Sequence, residues 1–323
     1  MAVPTVLSHA STGAPALTGE DGSLYEIFKW ALPQLGWAVA YDEPGEFRVA
    51  LRNDPVAGTG YYLKIWDDSS DHAGTARHAR AQVFLDMTGI DAGIDPAFSV
   101  QRFIAKSPAL SSTTRHWYII GDAQRFYFLR DADGTTNRGG GFNCYHFGDF
   151  NPFFPQDPGP YFCPLSSSSG FGTQDPAWAL SAVSVSDALT PTDASTASRT
   201  DYQESLPVLF NGSGSGTARL RSFAGASSGA PNMGDNGGTQ LAPSNPASRV
   251  FVAEGNLLRG ELVGALNPLQ SRPFGSGSQL VPGVHNGREP VDVMYFNMTM
   301  FFNENNPNRG SIYIDVSSDW SDW

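Results

Sequence analysis

Lysine is nearly missing: Lys29, Lys64 and Lys106 are the only three in 323 residues. Charged residues of all kinds make up 16% of the chain, against roughly 25% in ordinary soluble domains. Long solvated helices draw on Ala, Leu, Glu, Lys and Arg, so little material exists for them. A groove that tracks nucleic acid needs clustered cations to neutralise phosphates, and a chain of net charge −12 has none in view. An anionic membrane surface is disfavoured on the same ground. Cysteine is scarce as well, with Cys144 and Cys163 too few to staple a chain of this length. No apolar run is long enough to span a bilayer, and the opening residues lack the basic and apolar regions of a secretory signal. The expectation is a product made in a cytosol, with no membrane insertion.

In place of charge stand 35 Gly, 23 Pro and 12% aromatics. Gly and Pro punctuate turns, while aromatics suit half-buried strands. Hydrophobic residues at 40% are too many for a disordered chain, and this length permits a substantial core. The expected fold is mainly β, with loop-rich sandwich-like or barrel-like lobes and one or two short helices near the N-terminus.

Residues 1–22 show no periodicity and read as an arm. Ser23-Leu-Tyr-Glu26 has the form of a capping box, opening a helix with apolar Leu24, Ile27, Phe28, Ala31 and Leu32 that should stop or kink near Pro33. Residues 37–41, 47–51 and 61–66 are short β-branched or aromatic runs between turn signals, the mark of an antiparallel meander. Residues 75–87 are a second helical candidate, because Ala79, Val83 and Met87 are spaced by four. Residues 116–120 and 125–129 flank a Gly-bearing connection of hairpin length. Residues 142–163, crowded with Gly, Pro and aromatics, read as an ordered loop. Ser/Thr-rich 166–203 is a linker candidate, and Gly/Ser/Asn-rich 211–248 an insertion. Strand character returns at 249–254, 291–303 and 310–316. The division expected is an arm 1–22, a β-rich lobe 23–165, a linker 166–203 and a second β lobe 204–323.

Several clusters carry donors. Asp67-Asp-Ser-Ser-Asp-His72 offers oxygen and nitrogen ligands to a cation, although a solvated turn is the plainer reading. Asp131-Ala-Asp-Gly134 with Asn137 resembles a fragment of a calcium loop but lacks its closing bidentate Glu. Cys144, His146, Asp149 and Cys163 supply soft donors without the usual zinc spacing, and packed, reduced cysteines are the simpler account. A bridge between the two is open if the protein ends outside a cell. No GxSxG elbow occurs, Asn211-Gly-Ser-Gly-Ser-Gly216 lacks the Lys of a phosphate loop, and nothing marks out a glycosidase carboxylate pair. No catalytic, cofactor-binding or metal-binding residue is therefore assigned, and no enzyme is expected. The aromatics Phe150, Phe153, Phe154, Tyr161 and Phe162, with Trp320 and Trp323 of the closing Ser-Asp-Trp repeat, are assigned to subunit contacts. Two Trp in a polar tail need somewhere to bury. Stacking of sugars on the same aromatic loop is the competing use, and a metal-dependent hydrolase built on the turn at 67–72 is a third.

Five phrases of the chain resemble the minor structural proteins of the tail tip or baseplate of long-tailed bacteriophages. They are Tyr61-Tyr-Leu-Lys-Ile-Trp-Asp67; residues 79–84 leading into Met87-Thr-Gly-Ile-Asp91; Trp117-Tyr-Ile-Ile-Gly-Asp122 with Phe126-Tyr-Phe128; Phe147-Gly-Asp-Phe150; and residues 257–269. The likeness lies in strand and turn phrases spread over about two thirds of the chain, with the stretch 211–248 departing from it. It implies a non-enzymatic virion component, without cofactor, made in the host bacterial cytoplasm. Its partners would be copies of itself, in a ring or trimer around the tail axis, and other tail-tip and tail-tube proteins.

Overall fold

The computed structural model describes residues 3–68, 77–94, 102–107, 112–131, 142–162, 204–206, 208, 210–212, 216–222, 247–254, 257–268, 278–285, 290–297 and 311–323. Its elements run β1 (Thr5–Ser8), α1 (Ser23–Leu35), β2 (Ala38–Glu43), β3 (Arg48–Arg52), β4 (Tyr62–Trp66), β5 (Arg77–Phe84), β6 (Asp86–Gly89), β7 (Ala92–Ile94), β8 (Arg102–Ser107), β9 (Trp117–Gly121) and β10 (Arg125–Asp131). They continue β11 (Phe142–Asp149), β12 (Asn151–Pro152), β13 (Tyr161–Phe162), β14 (Glu204–Leu206), β15 (Gly216–Ser222), β16 (Ala247–Glu254), β17 (Leu257–Pro268), β18 (Ser278–His285), β19 (Pro290–Asn297) and β20 (Ser311–Asp315). The protein is mainly β, and among the described residues α1 is the one α-helix.

Three antiparallel sheets and a hairpin organise these strands. Sheet β1-β9-β10-β11-β13 is the middle layer, because both of its faces are buried. Alternation along β10 shows why: Phe126 and Phe128 face one cluster, while Tyr127 and Leu129 face another. The first cluster joins α1 and the sheet β2-β3-β4-β5-β8. Phe28 of α1 meets Phe126, Phe128 and Phe147 edge-on at 5.6, 5.2 and 6.4 Å. The second cluster joins the sheet of β14 to β20, which β12 brings to eight strands through Asn151 opposite Glu261. One hydrophobic cluster thus contains residues from both halves of the chain. The β6–β7 hairpin lies by the outer face of β3 and β4, where Ala50, Tyr62, Phe84 and Met87 cluster.

The meander and the β9–β10 hairpin form as the sequence indicates. Four local readings are corrected. Residues 77–84 are strand β5, not helix: a spacing of four is also two strand periods, and Ala79, Ala81 and Val83 alternate into the core. Residues 142–149 form the inner strand β11, because the prolines that forbid a central strand begin only at Pro152. Thr5–Ser8, inside the expected arm, pairs with β9 as an edge strand, and Gly216–Ser222, inside the expected insertion, pairs with β16. The expected linker 166–203 lies outside the described residues.

The capping box is also replaced. Gly22 occupies the N-cap and makes no side-chain cap, and Ser23 donates its hydroxyl to the Thr18 carbonyl instead. The orphan amides of Leu24 and Tyr25 donate to Asp67 Oδ2 at 2.6 and 3.3 Å. An acid just past β4 therefore caps α1 across space. The helix ends at Leu35, two residues beyond Pro33, with the Gly36 amide bonding back to Leu32 and Pro33.

Candidate functional site

The donor-bearing clusters converge on the joints between layers. At the end of β4, Asp67 is fully buried, and its second oxygen pairs with the equally buried Lys106 of β8. Lys106 also donates to the Glu20 carbonyl at 2.7 Å. Burial pushes the Asp67 carboxyl up to about 6, against the pull of Lys106 and the two helix amides. Of the sequence cluster at 67–72, only Asp67 and Asp68 are described, and Asp67 is committed to this joint.

A second joint lies where β11 leaves the middle sheet. Asp149 accepts from the Thr59 amide and hydroxyl, each at 2.7 Å, and from Asn53 Nδ2 at 3.1 Å. This ties the β3–β4 loop to the middle layer. Burial raises the Asp149 carboxyl to about 6, opposed mainly by the two Thr59 hydrogen bonds. Cys144 and His146, on the same strand, are buried toward the eight-stranded sheet, the His146 ring lying 4.9 Å from Tyr127. Asp149 is engaged elsewhere, at the strand end. Cys163 lies outside the described residues, so neither the soft-donor cluster nor the bridge is described as a whole. Among the described residues no group of three or more His, Cys, Asp or Glu could hold a metal ion. Asp131 ends β10, while the rest of that turn lies outside the described residues.

The third joint was not visible in sequence. Arg259 of β17, fully buried, bonds Asp157 through Nε at 2.9 Å and again through its terminal nitrogen. It also reaches Glu254 at 3.1 Å, and the carbonyls of Val208 and Gly159 at 2.7 and 3.3 Å. A planar fork with five donors suits such a convergence of acceptors. Burial, then Asp149 and Asp157, raise the Tyr61 phenol nearby. The signal that could have flagged these joints is scarcity. Each of the three lysines pairs with an aspartate: Lys29 with Asp42, Lys64 with Asp91 and Lys106 with Asp67.

The aromatics assigned to subunit contacts fall into two groups. Phe150 and Tyr161 are buried inside the chain, as are Trp320 and Trp323 at 2% and 6% exposure. The premise that the tail offers its tryptophans nowhere to bury is corrected: Trp320 meets Tyr127 edge-on at 5.9 Å, and Trp323 lies 5.1 Å under the Arg249 guanidinium. Phe153 stays exposed, at 45%, beside Phe251; Phe154 is half-buried against Phe210; the Phe162 side chain is not described.

The buried acids just described are held by internal donors, an arrangement that fixes layers to one another. No protein-family model matches the chain, and no curated protein matches it. Among the described residues no helix is long and apolar enough to cross a membrane.

Proposed function

We propose that this protein is a non-enzymatic structural component of a bacteriophage virion, in the tail tip or baseplate, that assembles with copies of itself around the tail axis. The observation that carries the reading is the employment of its buried acids: Asp67, Asp149 and Asp157 each bind donors from a different layer or loop. Catalytic acids need a face open to substrate, and these are consumed in joining sheets. The phage-like phrases include strands that build the layers, among them β4, β9, β10 and β17.

Sugar recognition by the aromatic loop is the competing use. With Phe150 and Tyr161 turned inward, Phe153 is the exposed ring that remains among the described members. Light scattering on the purified chain, elemental analysis and a glycan screen separate the two readings. A metal-free multimer that ignores glycans supports the structural role, and a monomer that binds a polysaccharide overturns it.

A further inference from the structure

We infer that the stacked imidazoles of His9 and His116 are a pH-sensitive clasp, which holds the edge strand β1 on the middle sheet in neutral medium and loosens it in mildly acid medium. The clasp works within one chain and needs no partner. The two rings lie 4.1 Å apart between centroids and within 11° of parallel, with Tyr118 edge-on to His9 at 5.8 Å. His9 follows β1 directly, and its amide ends the β1–β9 ladder by donating to the Trp117 carbonyl at 3.1 Å. The ring sits over the same point, its Nδ1 being 3.3 Å from that carbonyl. Stack and terminal backbone bond thus share one anchor.

Neutral imidazoles stack without electrostatic cost, whereas two imidazolium rings at this separation repel. His116 is exposed and His9 half-buried, so the first proton goes to His116. Asp131 favours that order, because it continues the β9–β10 ladder opposite His116 and its amide donates to the His116 carbonyl at 2.8 Å. Burial holds the His9 imidazole below its ordinary value, the Trp117 carbonyl opposing and the His116 charge assisting. The other polar groups nearby have their own contacts. Arg115 reaches Ser107 at 3.4 Å, Arg130 donates to the Asp131 carbonyl at 3.2 Å, and Tyr118 accepts from Ser278 of β18 while its ring meets Phe296 of β19.

A charged His9 gains water only by leaving its place between His116 and Tyr118, and it takes the last bond of β1 with it. Little else resists, since Leu7 alone among Thr5–Ser8 is buried and Val6 is 41% exposed. Farther on, the Trp117 indole holds the Pro15 carbonyl and Leu17 bridges to Arg115, so the opening is local. The folded chain takes this proton less readily than the unfolded one. The hold is therefore full above the ordinary imidazole value of 6.5 and is lost as pH falls below it. Asp67 and Asp149 act in the opposite direction at other joints, which a local measurement separates.

Hydrogen exchange of the full chain, expressed at each pH as protection relative to the unstructured rate, tests the clasp. Between about pH 7.5 and about pH 5 the protection of residues 5–9 is expected to fall about tenfold, while that of β10 and β11 does not fall. His116→Gln removes one of the two charges, and residues 5–9 of that variant should keep in acid most of the protection they have at neutral pH. Equal protection of 5–9 at both pH values in the parent overturns the proposal, as does a fall shared by β10 and β11 or one undiminished in His116→Gln. Should the variant lose β1 at every pH, the imidazole carbon shifts of the parent decide. Two coupled steps with His9 the later to take its proton are expected, and two rings that titrate independently overturn the clasp.

Discussion

The carboxylate of Asp67 and the ammonium of Lys106 form an ion pair from which solvent is excluded on both sides. The pair joins β4, β8 and the start of α1, since the same carboxylate caps the helix. Removing one partner leaves a buried charge alone. Lys106→Met is expected to lower unfolding stability by about 3–5 kcal/mol, and the double variant with Asp67→Asn to recover part of that loss. Urea denaturation of the two variants and the parent checks it.

Acidity should stabilise the fold over a defined window. Burial lifts Asp67 and Asp149 to about 6, whereas their ordinary value is 3.8. The folded chain therefore binds protons more readily than the unfolded one, so the contribution of these groups is full below about pH 4 and is lost as pH rises through 6. Asp91 runs the other way, its hydrogen bond from Lys64 holding it low, so its contribution disappears as the medium grows more acid still. The melting temperature is expected to rise between pH 7 and pH 5. Asp149→Asn should lower the midpoint yet flatten that slope, and an unchanged slope would contradict the assignment.

Two glycines of like backbone conformation should respond differently. Gly264 has φ +79° and the Trp320 ring against it, while Gly212 has φ +75° and open space around it. Gly264→Ala adds a steric clash to the backbone strain and should cost roughly 2–5 kcal/mol; Gly212→Ala meets the strain alone and should cost about 1–2 kcal/mol. Thermal unfolding of the pair measures the difference, which is the worth of the Trp320 contact surface.

At Arg259 the geometry of the fork should matter more than the charge. Lysine keeps the charge but cannot reach Asp157, Glu254 and two carbonyls at once. Arg259→Lys is expected to destabilise by about 2–4 kcal/mol, since buried acceptors lose their donors. A circular dichroism melt within about half a degree of the parent would contradict this role.

Much of the fold was legible in the sequence, for identifiable reasons. The β9–β10 hairpin announces itself because its strands alternate around a Gly-bearing turn, and α1 because Leu24, Ile27, Phe28, Ala31 and Leu32 share one face. Strand β5 was misread because Ala79 and Val83 fit both periods, and only the intervening Ala81, also buried, distinguishes them. The joints were less visible, since they depend on contacts between distant residues. Asp67 looked like part of a solvated acidic turn, and nothing local reveals that Lys106 and the amides of α1 await it. Trp320 and Trp323 were assigned to a neighbouring chain because the site that takes them in this one is made by Gly264, Tyr127 and Arg249, which the sequence does not connect to them.

The central claim is that this chain works by assembling with itself, and the solution mass tests it most directly. Gel filtration with light scattering should return a whole multiple of 34.7 kDa that persists on dilution. A single 34.7 kDa species at every concentration would contradict the account.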